Sequence, residues 1–479
     1  MRSSWIKALI PPVLGLFIFL LPTPDGLSRD AWLYFSLFIA VVAGLILEPL
    51  PAAFIGLLGV TIACILRIGA PMPASGVIKA ADAIKWGLSG FSNSIIWLIF
   101  AAFMMALGYE KSGLGRRVSL ILVKRMGKTS LGLGYAVTFS EAILAPFVPS
   151  NSARSGGILF PIVRNIPLIY NSTPEHEPRK LGSYIVWVSL LSTCVTSSLF
   201  YTGLAPNLLA GSIITENKIP FTWMQWFVGI APVGILFLIL SPLLAYLIYP
   251  PTMKRADDAP KWAGEELGKM GPLSLKEKLM AASAVLGLTL WIGAKQFGID
   301  ATTSALVVLC FITLAGIISW NDIIGNKAAW NVLLWFGTLV TLASGLKNVG
   351  FLSWFAAKSA AMLAGYPSMT VLTCLVVIFF LSHYFFASVT SHVTALYALF
   401  LTTAIALPGI DPVKAALLLA YTLGFMGIIT PYGTGPSPIW YGLGYIPAKT
   451  FWPLGALFGF IFLAGLLLIG IPWLTWITL

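Results

Sequence analysis

Two short polar runs stand inside stretches of sequence that are otherwise apolar. The first is Ser150, Asn151 and Ser152, set between Pro149 and the pair Gly156 and Gly157; the second is Ser391, His392, Val393 and Thr394. Hydroxyl and amide N–H groups are donors suited to an anion, and a helix that restarts at such a break adds its first-turn amides and the positive end of its dipole. A second pair of runs follows each of these. Gly203 to Asn207, with Pro206 inside it, and Thr430 to Pro438, with Thr434, Gly435, Pro436 and Ser437, place helix breakers where the flanks are apolar, which frees backbone groups for coordination. Arg154 lies three residues after Asn151 with no acidic neighbour in sequence, so a substrate carboxylate held bidentately is its expected partner. His392 stands where the first run has Asn151 and can offer a donor or, protonated, a positive charge. Small and hydroxylated residues also permit tight helix packing, but packing does not ask for polar clusters at matching places in both halves. Glu141 and His383 are read as packed, hydrogen-bonded residues outside the site.

The elements that must position these runs are membrane helices. Of 479 residues 58% are hydrophobic and only 10% charged, which excludes a soluble globular chain. At about 20 apolar residues per span, the sequence has room for roughly 10 to 12 crossings and for no sizeable soluble domain. The four cysteines, Cys64, Cys194, Cys310 and Cys374, sit in apolar stretches without paired spacing and read as small hydrophobes. A formal net charge of +12 points to positively charged loops on the cytoplasmic side rather than to nucleic acid. The start of the chain reads as a retained first helix with a cytoplasmic N-terminus, in a bacterial inner membrane. Gly127, Lys128, Thr129 and Ser130 superficially suggest a phosphate loop, but Leu122 occupies the place of its first glycine. With no metal-ligating set or acidic catalytic cluster in the sequence, an enzyme is not the expected reading, and no resident cofactor is implied.

The paired runs are spaced alike. Gly108 to Gly113 echoes Gly345 to Gly350, Ser150 pairs with Ser391, and Pro206 with Pro436, all in the same order at nearly the same offset. After Gly113 come Arg116, Arg117, Lys124, Arg125 and Lys128, whereas the matching stretch after Gly350 has only Lys358. By the positive-inside rule the two connectors lie on opposite sides, so the copies are inverted, the pattern of secondary transporters working by alternating access. The expected organisation is N-terminal scaffold helices over 1–91, a first inverted repeat with a re-entrant hairpin over 92–250, and a charged cytoplasmic loop over 251–278 that reads as a solvated connector. Further scaffold helices over 279–326 and a second repeat with its hairpin over 327–479 complete it.

At these residues the sequence resembles the divalent anion:sodium symporter family, over nearly the whole chain. The stretches from Pro149 to Gly157 and from Thr430 to Tyr445 are most similar to its citrate/succinate, tartrate/succinate and 2-oxoglutarate/malate antiporters. The resemblance implies an all-α polytopic homodimer of about 11 spans plus two re-entrant hairpins, with a scaffold domain and an elevator-like transport domain. It implies that the tips at Ser150, Asn151 and Ser152 and at Ser391, His392 and Thr394 bind di- or tricarboxylates with Gly203, Pro206, Asn207 and Thr434 to Ser437. A residual sodium site at Ser150, Asn151 and Gly203 stays open. The family's Ser-Asn-Thr pattern is not kept at His392 and Val393, which removes support from a second sodium site. Fixed cations at Arg154 and His392 would then replace sodium, and an empty carrier holding them unpaired would be disfavoured by several kcal/mol. Obligatory, sodium-independent exchange is the expected activity; sodium-coupled uptake of dicarboxylates or sulfate is the alternative.

Overall fold

The computed structural model describes residues 2–363 and 365–478. It is helical; among the described residues, strand pairing is confined to one isolated bridge between Thr129 and Arg255. Among the described residues, seven helices are long and apolar enough to cross a membrane, including Arg29–Leu47, Gly182–Leu199, Trp223–Ile248 and Lys327–Asn348. Cys194 is buried and Cys64 half-buried, whereas Cys310 and Cys374 are exposed on their helices rather than in a core.

The chain packs into two compact units. One comprises Met1–Phe100, Leu208–Phe221 and Lys327–Leu419, the other Ala101–Asn207, Thr222–Asn326 and Ala420–Leu479. Each unit therefore draws on both halves of the sequence and holds one of the two hairpins.

In the first unit, Lys327–Asn348 packs against Ala52–Leu66 and the short turn Ser89–Ser92. Buried polar groups fix its register: Tyr34 donates to the Leu342 carbonyl at 2.7 Å, Trp86 Nε1 to Ser344 Oγ at 3.1 Å, and the Gly90 amide to Thr341 Oγ1 at 3.0 Å. Gly345 lets the Tyr34 ring approach; a Cβ there would lie 2.0 Å from the phenol oxygen. The hairpin of this unit runs down Ser368–Leu381 and a 3₁₀ turn, Ser382–Phe385, crosses an extended tip at Phe386 to Ser388, and returns through Val389–His392, a π-helical segment Val393–Tyr397 and Ala398–Ile405.

The second unit is built around Gly182–Leu199, every residue of which is buried. Trp187 lies edge-on to Phe451 and Phe458 at centroid distances of 5.2 and 5.6 Å. The hairpin of this unit repeats the local plan of the first. Ser130–Leu144 is started by Thr129, whose hydroxyl accepts from the Gly132 amide, and the return limb after the tip opens at Asn151 into the π-helical segment Ser152–Leu159. Single π-turns in otherwise α-helical elements concentrate at functional sites.

The stretch 251–278 differs from the solvated connector expected. It contains the helix Asp258–Met270, which packs on Leu114–Met126. Ser130 Oγ donates to the Met253 carbonyl at 2.6 Å, Arg116 pairs with Glu266 at 2.7 Å, and the buried Arg117 binds both Glu277 oxygens and the Gly271 carbonyl. A buried guanidinium needs partners for all its donors, and this segment supplies Arg117 with them. Charge composition alone did not reveal that.

Candidate functional site

The first tip is the best-defined polar centre of the second unit. Ala145 to Ser150 leave the helix at Pro146 and Pro149, which lack the amide a continuing helix would need. Ser150 then starts the return limb, its hydroxyl accepting from the Ala153 amide at 3.2 Å and its carbonyl from the Arg154 amide at 2.9 Å. Asn151 Nδ2 donates to Thr434 Oγ1 at 2.7 Å, and Trp440 Nε1 donates to Ser155 Oγ at 2.9 Å. These bonds join the tip to the loop from Thr430 to Pro436, which follows the helix Pro412–Phe425 and the 3₁₀ turn Met426–Ile428. Asn151, Ser152, Thr434 and Gly435, singled out in sequence, are thus brought together; Pro436 starts the short helix Ser437–Tyr441 beside them. Gly435 is exposed, and a Cβ there would lie 1.9 Å from Ser152 Oγ but 3.3 Å from Ser152 Cβ, so a larger residue forces the Ser152 hydroxyl aside. Gly435→Ala is therefore expected to lower thermal stability and any activity of the tip, and Ser152→Ala to restore much of the stability in the double variant. A melting series on the four chains checks this; a double variant as unstable as the single one would contradict it.

Arg154 has different partners from the substrate carboxylate expected. Its side chain is fully buried and its Nε donates to Glu141 Oε2 at 2.5 Å. Nη1 donates to the carbonyls of Val148 and Gly203 at 2.7 and 2.8 Å, and Nη2 reaches Thr196 Oγ1 and Ser197 Oγ, each at 3.3 Å. All five N–H donors of the guanidinium are used inside the protein. The physical reason is that a bare cation is not tolerated in a dry interior, and Glu141, on the opposite limb of the hairpin, lies where it can neutralise it. Arg154 ties the tip, through Val148, to the broken helix, through Gly203.

That helix breaks after Leu199. Phe200 is extended, Tyr201–Gly203 forms one 3₁₀ turn, and Ala205–Glu216 resumes with Pro206 at its start. Asn207, expected to bind substrate, instead donates its Nδ2 to the Ser197 and Phe200 carbonyls at 2.7 and 3.2 Å, capping the end of the preceding helix. Its remaining buried oxygen is an acceptor without a partner among the described residues and has no proton to give an anion.

In the first unit, the Ser391 hydroxyl reaches toward the Leu45 carbonyl at 3.4 Å, and Thr394 Oγ1 donates to the Thr390 carbonyl one turn back at 2.8 Å. His392 is fully buried, stacked on Phe386 and beside Phe379. Both of its ring nitrogens have protein partners: Nδ1 is 3.1 Å from His383 Nδ1, and Nε2 is 3.3 Å from Ser382 Oγ. The free imidazole that the sequence suggested for a substrate is corrected by this geometry to one engaged within its own hairpin. Glu141 and His383 are, as the sequence suggests, packed and hydrogen-bonded residues, and they are the partners of Arg154 and His392.

The model of the sodium:sulfate symporter transmembrane region matches residues 2–479. The chain belongs to this family. It is the group of divalent anion:sodium symporters that the tip motifs resembled, and its members are multi-pass membrane proteins, in keeping with the seven apolar helices. An L-tartrate/succinate antiporter of Escherichia coli strain K12 is 47% identical over 479 residues, covering 98% of each chain. A protein of the same name from Shigella flexneri matches to the same extent. Among solved structures, the Alcanivorax borkumensis YdaH transporter, reported to have an unusual topology, covers 94% of this chain and 98% of its own, with a TM-score of 0.57 and 16% identity. That likeness shows a shared helical transporter fold and nothing about substrate.

Proposed function

We propose that this member of the symporter family is a sodium-independent antiporter that exchanges C4 dicarboxylates, tartrate and succinate first among them, with malate, 2-oxoglutarate and citrate as further substrates. The protein works as a homodimer in a bacterial inner membrane, its N-terminus cytoplasmic, and moves substrate by an elevator-type motion of inverted repeats. The relatives named as tartrate/succinate antiporters support the substrate class. The observation that carries the sodium independence is the Arg154 guanidinium between the Val148 and Gly203 carbonyls. Two carbonyl oxygens facing each other across a gap need a positive centre between them, and here a tethered side chain provides it, so no dissolved cation is required.

Charge accounting then differs from the scheme of two fixed cations. Arg154 and Glu141 form a neutral pair, so the dianion is held by neutral donors: the Ser150, Asn151 and Ser152 tip, its first-turn amides and the hydroxyls of Thr434 and Ser437. Carrying such a site empty across the barrier leaves the buried Thr434 and Ser437 hydroxyls without substrate, at about 1–3 kcal/mol for each donor left unsatisfied. The unloaded carrier therefore crosses slowly and exchange dominates. A second reading, sodium-coupled uptake of dicarboxylate or sulfate, is favoured by one fact: Glu141 Oε1 and Asn207 Oδ1 are buried acceptors without donors, which a small cation would satisfy.

Reconstituted vesicles separate the two. Labelled succinate is expected to enter only vesicles loaded with tartrate or succinate, at a rate unchanged when choline replaces sodium. Uptake into empty vesicles driven by a sodium gradient would overturn the proposal.

A further inference from the structure

We infer that a cavity beside the return limb of the first tip binds the headgroup of an aminophospholipid, a phosphate ester that carries a primary ammonium. This goes beyond the proposed exchange of dicarboxylates and does not depend on it. The cavity lies within the second unit and has a volume of about 390 Å³. Four elements wall it: the end of the helix Ser94–Ser112, the helix Leu114–Met126, the return limb from Gly157 to Asn165, and the helix Asp258–Met270.

The polar groups around it are not used up by the protein. Tyr109 lines the cavity and is buried, and its hydroxyl has no hydrogen-bond partner among the described residues. A buried donor left in that state is costly, so its acceptor has to come from what enters the cavity. Arg116 gives one Nη to Glu266 at 2.7 Å, and the other donors of its five have no protein partner among the described residues. Glu266 is also held by Lys269 at 2.6 Å, so it does not claim the whole guanidinium. Glu110 brings an exposed carboxylate, and Trp262 a half-buried indole N–H, neither with a side-chain partner among the described residues.

The mixture of walls selects the occupant. Leu120, Ile158 and Ile162 form an apolar side on which water finds no partners, so the occupant is part apolar. Glu110 and Glu266 disfavour a simple anion, and Arg116 disfavours a simple cation. A zwitterion satisfies both signs: phosphate oxygens accept from Arg116, Tyr109 and Trp262, and a primary ammonium donates to Glu110. Gly157 leaves room for it, since a Cβ there would meet nothing within 4 Å. Arg116, Lys124 and Arg125 on Leu114–Met126 set this end of the unit at a membrane surface, where phospholipid headgroups are at hand. A headgroup held there touches the limb that begins at Asn151 and the segment 251–278 together.

The test uses the full chain in detergent, titrated with phosphatidylethanolamine, phosphatidylcholine or free phosphoethanolamine. Melting temperature and, by native mass spectrometry, retained lipid are read. The wild type is expected to retain phosphatidylethanolamine and to melt higher as it is added. Phosphatidylcholine, whose trimethylammonium has no N–H, and the headgroup without its chains should each give little shift. Tyr109→Phe removes a hydroxyl that bonds nothing in the protein, so without lipid it should melt no lower than the wild type. The phosphatidylethanolamine concentration giving half the shift should nevertheless rise about 10-fold or more in that variant. Glu110→Gln should lose the preference for phosphatidylethanolamine over phosphatidylcholine. A wild-type shift as large with phosphatidylcholine, or reproduced in full by free phosphoethanolamine, would overturn the assignment to an aminophospholipid. If both variants bind phosphatidylethanolamine as the wild type does, the cavity holds only water and the inference fails. A lower lipid-free melting temperature in Tyr109→Phe would give the hydroxyl a partner within the protein and sink it equally.

Discussion

Arg154→Ala is expected to be among the most damaging single substitutions in this protein. It removes a fully buried cation with five donors and leaves Glu141 as a buried anion without compensation, for which about 3–5 kcal/mol of stability is lost. It also removes the bridge between the Val148 and Gly203 carbonyls. The two effects can be separated. Glu141→Gln with Arg154→Met takes away both charges at similar volume, so folded yield and melting temperature should recover most of what Arg154→Ala loses. Exchange should not recover, because the tip is no longer tied to the broken helix. Thermal unfolding in detergent of the wild type, Glu141→Gln, Arg154→Met and the double variant gives the coupling energy directly. A double variant no more stable than Arg154→Ala would show that the pair is not the source of the loss.

Asn151→Ala should have the opposite profile, with the fold kept and transport lost. Asn151 makes one side-chain bond, to Thr434, at a tip whose neighbours Ser150 and Ser152 are only partly buried. Losing a donor to a charged carboxylate costs about 1.5–3 kcal/mol, or roughly 10- to 100-fold in apparent affinity. Asn151→Asp should be worse, since it places an anion where the substrate's anion belongs. Exchange kinetics and melting temperature on the same preparations check this. Unchanged KM in Asn151→Ala would remove Asn151 from the substrate site.

The positions of both tips were legible in the sequence because Pro, Gly and clustered hydroxyls have few other uses inside apolar runs. Partner choice was not legible in the same way. Arg154 stands alone in the sequence because its nearest acid, Glu141, is 13 residues away, and His392 because its partners His383 and Ser382 lie on the other limb of its hairpin. Yet a hairpin brings together residues lying symmetrically about its turn, and Glu141 with Arg154, like His383 with His392, straddles its tip evenly. Once a re-entrant hairpin is expected, that symmetry is the signal that names the partner. Asn207 was misplaced for another reason: an amide beside a helix break serves a ligand or the broken helix equally well, and only the structure shows that the Ser197 and Phe200 carbonyls claim it. The docking of 251–278 depended on Arg117 being buried, which no composition rule reveals.

The helix at the heart of the second unit also bears on how the protein is made. Gly182–Leu199 has no face left for lipid in the finished molecule, but a ribosome delivers it before Trp223–Ile248 and Ala448–Gly465 exist to cover it. Several of its hydroxyls carry their own partners: Ser189 donates to Ile185, Ser192 to Val188 and Thr196 to Ser192, each to a carbonyl one turn back. Such a segment can leave the translocon and wait in hydrocarbon with those polar groups already satisfied, and the later helices assemble around it.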